Sequence, residues 1–92
     1  MIGLAPPGRV RPWKIAAAVT ALQRTFPWSE VRCEWARQYN GHAFIVRGHG
    51  ALFVSPAFFE RCVDEAAIDA AISKAATAMG KRVNPEFRLE LV

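Results

Sequence analysis

The sequence predicts an α+β two-layer sandwich, in which helices cover one face of a four-stranded, mainly antiparallel sheet. The stretch from Val31 to Ser55 alternates apolar and polar residues around two glycine turns, which indicates three antiparallel strands. The segments on either side of it place apolar residues at helical spacing. The resulting order is α-β-β-β-α-α-β in one domain, residues 13–92, preceded by an extended N-terminal arm, residues 1–12.

Pro12 or Trp13 is expected to open the first helix, because proline has no amide hydrogen to leave unpaired in a first turn. Pro27 ends it, since the residue before a proline avoids helical geometry. The apolar residues between them recur at steps of three and four. That face comprises Ile15, Val19, Leu22 and Phe26, whereas Lys14, Thr20 and Arg24 are predicted to face away.

Asn40 and Gly41 predict a two-residue type I′ turn, because both positions of such a turn need a positive φ that these residues tolerate. The turn sets the register, and directly opposed residues share a face of the sheet. One face is then covered by helices, and the other is exposed to water. The predicted pairs are Tyr39 with His42, Arg37 with Phe44, Trp35 with Val46 and Cys33 with Gly48 on the covered face, and Glu34 with Arg47 on the other.

The second turn, at residues 48–50, leaves two registers open. A two-residue loop places Phe53 on the covered face, whereas a three-residue loop places Leu52 and Val54 there. All of residues 51–54 are apolar, so their pattern fits both registers. Gly50 favours the three-residue loop, because glycine can adopt the left-handed bulge position.

Two helices follow the meander. Ser55 is expected to cap a short helix at 56–62, and Asp64 a longer one at about 65–79, although the two could form one kinked helix. Val63 and Ile68 occupy the positions of a hydrophobic staple. Gly80 is expected to close the second helix in a left-handed conformation.

The C-terminal segment predicts a fourth strand. Phe87, Leu89 and Leu91 alternate with charged residues, which is typical of a half-buried strand. Pro85, just before it, fits the start of a strand. Its open edge could pair with a second copy of the chain, so we expect a monomer or a homodimer.

The side chains that could bind a metal or act as nucleophiles do not form a recognised pattern. Their spacing, C-x8-H-x6-H-x12-C, matches no compact zinc motif, and Cys33 and His42 are expected near opposite ends of the hairpin. The cysteines are predicted to be reduced core residues. We therefore expect no metal, no cofactor and no enzymatic activity. The residues concerned are Cys33, His42, His49 and Cys62.

Length and composition exclude two further classes. The chain has no apolar run of about 18 residues that could span a membrane. Residues 1–12 lack a lysine-rich start followed by a long apolar core, so we expect no signal peptide and a cytoplasmic location. The net charge of +4 mildly favours an anionic partner.

The α-β-β-β-α order over residues 13–79 resembles that of the double-stranded-RNA-binding domain. The resemblance implies a phosphate-binding surface, which that family builds from basic residues at the start of its last helix. The corresponding turn here holds Asp64, Glu65 and Asp69, which would repel phosphate. We therefore do not assign the chain to that family.

A different basic surface would serve a nucleic-acid-binding module. Arginines on the open sheet face could align with basic residues of the arm, although Glu34, Glu86 and Glu90 alternate with them. No aromatic side chain is clearly predicted on that face to stack on bases. The basic residues are Arg9, Arg11, Lys14, Arg32, Arg47 and Arg88.

A binding or inhibitory module is the favoured prediction. Trp13 and Trp28 flank the first helix, and tryptophan and arginine are the residue types that dominate protein-binding hot spots. Small phage and mobile-element inhibitors, anti-CRISPR proteins among them, have this size and similarly lack catalytic groups. The predicted partner is a protein or nucleoprotein, blocked by stoichiometric occlusion.

Overall fold

The computed structural model describes residues 10–81 and 86–92 and confirms the α+β sandwich. Within those residues, no helix has the length and apolar character needed to cross a bilayer. The strands are ordered β1-β2-β3-β4, and β4 runs parallel to β3 whereas the other neighbours are antiparallel. The elements are α1 (Pro12–Thr25), β1 (Val31–Ala36), β2 (Gly41–Val46), β3 (Gly50–Val54), α2 (Pro56–Arg61), α3 (Glu65–Gly80) and β4 (Arg88–Leu91).

The first hairpin has a longer loop than the predicted two-residue turn. β1 ends at Ala36, residues Arg37–Tyr39 form one 3₁₀ turn, and Asn40 takes the left-handed conformation at φ 51°. Cys33 therefore lies opposite Phe44, and Trp35 lies opposite His42. The predicted pairs are wrong, but each strand partner has moved by four residues, an even number, so the faces of the β1 and β2 residues are predicted correctly. The prediction of Tyr39 on the covered face is wrong, because the 3₁₀ turn places its ring on Phe53 of the open face.

The predicted ion pair between Glu34 and Arg47 is wrong for the same reason. Glu34 lies opposite Ala43 and accepts a 3.1 Å hydrogen bond from Arg32 on its own strand. Arg47 follows the end of β2, where its amide donates to the Glu30 carbonyl at 3.0 Å. The longer loop moved the two charges to different rows of the sheet.

The second hairpin has a three-residue loop, as Gly50 favoured, but the loop comprises residues 47–49. Val46 lies opposite Gly50, and Leu52 lies opposite Phe44. Gly48 and Gly50 have φ values of 86° and 105°, which side-chain-bearing residues rarely adopt. Leu52 and Val54 therefore face the helices, and this face assignment is confirmed.

The main core lies between the sheet and the helices. Phe44 at the centre of β2 is fully buried, and the Phe59 ring of α2 meets it edge-on at 6.2 Å. The apolar stripe of α3 packs on the same cluster through Ile68, Ile72, Ala75 and Met79. The largest fully buried side chains are Leu22, Phe44, Val46, Leu52, Val54, Phe59, Ile68, Ile72 and Met79.

Helix α1 buries more than the predicted face: Leu22 and Phe26 are buried as predicted, and three alanines are buried beside them. Ala17, Ala18 and Ala21 are buried, whereas Ile15 and Val19 are only partly buried at the edge of the core. The interface with α3 is also built from alanines, Ala75 and Ala76. Small side chains let two helices pack closely, so these alanines suit the packing of α1 against α3.

Lys14 does not face away from the domain as predicted. It is half-buried, and its Nζ donates a 2.6 Å hydrogen bond to the carbonyl oxygen of Phe59 on α2. Its aliphatic stem thereby covers part of the apolar core while the ammonium group finds an acceptor.

Both predicted N-caps are confirmed. The Ser55 hydroxyl accepts from the Phe58 amide at 3.1 Å, and an Asp64 carboxylate oxygen accepts from the Ala67 amide at 2.8 Å. The chain is extended at Asp64, and Val63 before it is exposed, so the predicted staple to Ile68 is wrong.

The predicted left-handed end of α3 at Gly80 is also wrong. Gly80 belongs to the helix, and Lys81 after it keeps a right-handed conformation at φ −75°. The Phe26 ring packs beside this last turn, 3.6 Å from where a Cβ at position 80 would lie. Glycine here provides space for a ring and not a change of backbone direction.

Strand β4 alternates as predicted. Leu89 and Leu91 pack on the core together with Phe87, and Arg88 and Glu90 are exposed. The charged side chains therefore project from the face of the sheet opposite the helices.

Candidate binding surfaces

The sheet face opposite the helices carries two rows of side chains across all four strands. Arg32 and Arg88 end one row, with Ile45 and Ala51 between them. Glu34 and Glu90 end the next row, which runs through Ala43 and Phe53. A strip of apolar residues thus lies between two edges that each hold one arginine and one glutamate.

An aromatic pair covers one end of this strip. The Tyr39 ring stacks on the Phe53 ring with centroids 4.0 Å apart and an interplanar angle of 26°. Phe53 is buried as a result, while Tyr39 remains 43% exposed. The prediction that no aromatic side chain clearly lies on this face is wrong, because the 3₁₀ turn folds over the sheet and brings Tyr39 with it.

Beside this pair lies a shallow depression of about 280 Å³. Ala43, Ala51 and Phe53 form part of its lining, and the Arg88 and Glu34 side chains lie at opposite sides. Its volume is at the lower limit of ligand sites, and it is open to solvent. It is better suited to accept a protruding side chain than to enclose a small molecule.

A second surface lies at the corner of the sheet where α1 leads into β1. The Trp28 side chain is 95% exposed in this connection. Two residues later, the Glu30 carbonyl accepts from the Arg47 amide, which extends the β1–β2 ladder. Arg32 and Arg47, with Glu30 and Ile45, line a depression of about 250 Å³. We call Trp28, Arg32 and Arg47 the Trp28 corner.

The remaining predicted residues lie at the other end of α1. Trp13 is 44% exposed, and the Lys14 ammonium group lies 5.6 Å from its ring centroid. Arg11 is the N-cap residue of α1, and Arg9 lies outside the described residues. Since α1 has 14 residues, it separates Trp13 from Trp28 by about 20 Å.

The predicted binding residues therefore fall into three groups. The Trp28 corner holds three of them, the start of α1 holds Arg11, Trp13 and Lys14, and Arg88 lies on the opposite edge of the sheet. Their participation in binding stays a prediction. Tyr39, Ile45 and Phe53 were missed, although the three-residue second loop already placed Phe53 on the open face.

Cys33 and His42 are in contact, which corrects their predicted separation. The Cys33 Sγ lies 3.8 Å from the His42 Nδ1, since the longer hairpin loop brings residue 42 beside β1. The His42 ring also meets the Trp35 ring edge-on at 5.2 Å. Nε2, its other nitrogen, is buried and has no hydrogen-bond partner within the described chain.

Burial keeps both members of this pair uncharged. Desolvation, with a smaller contribution from the Glu34 carboxylate, raises the pKa of the Cys33 thiol above its usual 9.0. Desolvation also lowers the pKa of the His42 imidazole below its usual 6.5. A nucleophilic cysteine needs the opposite shifts, towards a thiolate beside an imidazolium. The described residues include no group of three side chains that could hold a metal ion.

Comparisons with protein-family models, with curated proteins and with solved structures find no match. A functional proposal must therefore rest on the surfaces described above. Of these, the Trp28 corner combines the most exposed large aromatic side chain of the described chain with two arginines.

Proposed function

We propose that this protein is a non-enzymatic binding module that inhibits a partner protein or nucleoprotein by covering part of its surface. The Trp28 corner would be the anchor of the interface. The observation that carries the proposal is the 95% exposure of Trp28. Burying an indole of this size on a partner removes a large apolar area from water.

The position of Trp28 suits it to this role. Its neighbour Ser29 is held by two hydrogen bonds: its amide donates to the Phe26 carbonyl at 3.1 Å, and its own carbonyl accepts from Gln23 Nε2 at 2.9 Å. The connection is therefore tied to the end of α1 while the indole projects into water. An anchor on a fixed backbone loses little conformational freedom on binding.

The two arginines define the chemistry of the partner. Arg32 and Arg47 line a depression together with Glu30, which lies two residues after Trp28. Arginine is enriched with tryptophan at binding hot spots. A complementary surface has an apolar pocket for the indole and carboxylates at its rim. Such charges raise the rate and specificity of association more than the affinity.

The state of the Cys33–His42 pair supports a non-enzymatic role. The thiol is protonated and the imidazole is neutral at pH 7, because burial disfavours both charges. Occlusion needs no reactive group and only an interface of roughly 800 Å² on each side. A domain of 92 residues presents enough surface for this.

The proposal is tested with matched bait variants in a lysate of the source cells, followed by reconstitution. Trp28→Ala should abolish capture of a partner that the unchanged protein binds at fixed stoichiometry, and reduce the affinity of the purified pair at least ~30-fold. Val63→Ala is the control, because Val63 is also exposed but lies between α2 and α3. Isothermal titration calorimetry gives affinity and stoichiometry.

Two outcomes would contradict the proposal. One is undiminished binding of the purified partner by both Trp28→Ala and Arg47→Ala. The other is a sub-stoichiometric complex whose formation changes the partner chemically, since that indicates catalysis. Circular dichroism of the variants checks that they fold, which the exposure of both side chains leads us to expect.

Nucleic-acid binding by the open sheet face is the second candidate. The Tyr39–Phe53 stack beside Arg88 and Arg32 favours it, because exposed aromatic rings and basic residues together bind single strands. It ranks second because Glu34 and Glu90 alternate with Arg32 and Arg88 on this face and would repel phosphate. Binding of a fluorescent oligonucleotide that weakens steeply with salt and is lost in Tyr39→Ala would place it first.

A further inference from the structure

Strand β1 forms one edge of the sheet within the part of the chain that the structure describes. Among the described residues, β2 is the only strand that pairs with it. It has six residues without a proline or a glycine, and every residue finds a partner on β2 in turn, so no bulge interrupts it. Natural edge strands usually carry one of these features to prevent pairing with another chain.

The backbone groups that point away from β2 can be identified. The Arg47 amide donates to the Glu30 carbonyl, so residues 30, 32, 34 and 36 exchange hydrogen bonds with β2. The alternate residues direct their N–H and C=O groups to the free edge. These are Val31, Cys33 and Trp35.

The side chains of β1 complement themselves about Cys33. If a second β1 runs antiparallel with Cys33 opposite its own copy, Arg32 lies opposite Glu34 of the other copy, and Glu34 opposite Arg32. On the helix side, Val31 meets Trp35 of the other copy. Opposite charges and an apolar–aromatic pair are the cross-strand combinations that stabilise antiparallel strands.

We propose that two copies of this chain pair through β1, antiparallel about a two-fold axis at Cys33, into one eight-stranded sheet. Three residue pairs would each exchange two backbone hydrogen bonds across the axis. Val31, Cys33 and Trp35 are only partly buried in the single chain, and the second copy would cover them. The inference does not require the partner that we propose for the Trp28 corner, although the two surfaces share Arg32.

The other edge of the sheet is less suited to this pairing. β4 also has an arginine and a glutamate in alternation, but it has only four residues. The carbonyl groups of the odd-numbered residues on this edge point towards β3. That of Phe87 accepts from the Ala51 amide, and that of Leu91 accepts from the Ser55 amide. Only two residues therefore direct backbone groups to the free edge, against three on β1.

Charge exchange tests the proposal. Arg32→Glu and Glu34→Arg each place like charges opposite one another at two positions across the axis, which should weaken self-association on the order of 30-fold. An equimolar mixture of the two variants restores opposite charges at both positions. It should form a 1:1 heterodimer with the affinity of the unchanged protein. Both side chains are more than half exposed, so both variants should fold.

Sedimentation equilibrium gives the masses, with 10.2 kDa expected for one chain and twice that for the dimer. A dimer that is lost in each variant and recovered in the mixture supports the proposal. A monomer for the unchanged protein up to millimolar concentration overturns it. A dimer that persists in both variants but is lost in Arg88→Glu also overturns it, because the interface is then β4.

Cross-linking at the axis is an independent measurement. In a Cys62→Ala background Cys33 is the only thiol. The Cα atoms of two directly opposed cysteines would lie about 5.5 Å apart, which is within the Cα–Cα range of a disulfide. Mild oxidation should give a covalent dimer on a non-reducing gel. Dilution below the dissociation constant, or the Arg32→Glu change, should prevent it. If the Arg32→Glu variant is a monomer by sedimentation but cross-links as much as the unchanged protein, the assigned register is contradicted.

Discussion

At the scale of single residues, the most constrained group is the His42 imidazole. It lies between the Trp35 and Phe59 rings and contacts the Cys33 thiol, with no carboxylate among these contacts. The surroundings therefore favour the neutral imidazole, in agreement with its lowered pKa.

This predicts a loss of stability in mild acid. The folded pKa of His42 lies below the unfolded value of 6.5, so unfolding takes up a proton in the intervening range. The free energy of unfolding should therefore be unaffected by His42 above pH 6.5 and fall as the pH decreases from there. Urea titrations from pH 7.5 to about 5 should show this component in the unchanged protein and not in His42→Phe.

His49→Phe is the matched control, because it leaves His42 in place and should retain the acid-side loss. An equal pH dependence in His42→Phe and the unchanged protein would contradict the prediction.

The tryptophans show what residue-level reasoning could and could not anticipate. Trp13 and Trp28 were predicted to flank the first helix, and both side chains are exposed. The near-complete exposure of Trp28 could not be predicted, because it depends on whether residues 26–30 fold back over the core. That path is set by Gln23, which bonds to the Phe26 and Ser29 carbonyls, and by Phe26, whose ring lies 4.5 Å from that of His49.

At the scale of elements, the first hairpin illustrates the limit of local turn rules. Asn40 does adopt a positive φ, as the Asn-Gly pair indicated. The strand nevertheless ends earlier, in a 3₁₀ turn that lets Tyr39 stack on Phe53 of β3. This contact involves the third strand, so no pattern within the hairpin could reveal it. Face assignment survived because alternation has a period of two.

The second hairpin yields a prediction from Gly50. Its φ is 105°, and a Cβ built there would overlap the carbonyl oxygen of Phe87, which accepts from the Ala51 amide. Gly50→Ala should therefore strain the backbone and separate β4 from β3, reducing the free energy of unfolding by about 3 kcal/mol or more. Urea denaturation followed by circular dichroism measures this change.

Gly48→Ala is the matched control for this position. Gly48 also has a positive φ, 86°, but no atom lies within 4 Å of the added methyl group. Only the cost of a positive φ for alanine remains, which should reduce the free energy of unfolding by about 1 kcal/mol. Similar losses for the two variants would show that the approach of β4 to Gly50 is not what makes glycine necessary there.

At the scale of the whole molecule, the two faces of the sheet bury apolar residues to different extents. The helix face contributes to a cluster that includes all the largest fully buried side chains. The open face has a small cluster of Ala43, Ala51 and Phe53. The element order and the strand faces were predictable because they follow from periodicity. The alanine interface between α1 and α3 was not, since alanine gives little periodic signal.

This asymmetry predicts unequal effects for two phenylalanines on neighbouring strands. Phe44→Ala removes a fully buried ring from the main core and should cost about 3–5 kcal/mol. Phe53→Ala removes a ring that Tyr39 covers on one side, and should cost roughly half as much. Because such a domain has only about 5–15 kcal/mol of stability, Phe44→Ala should remove a large fraction of it. Urea denaturation at 25 °C measures the loss of unfolding free energy in each variant. A loss for Phe53→Ala that equals or exceeds the loss for Phe44→Ala would contradict the greater burial of the helix face.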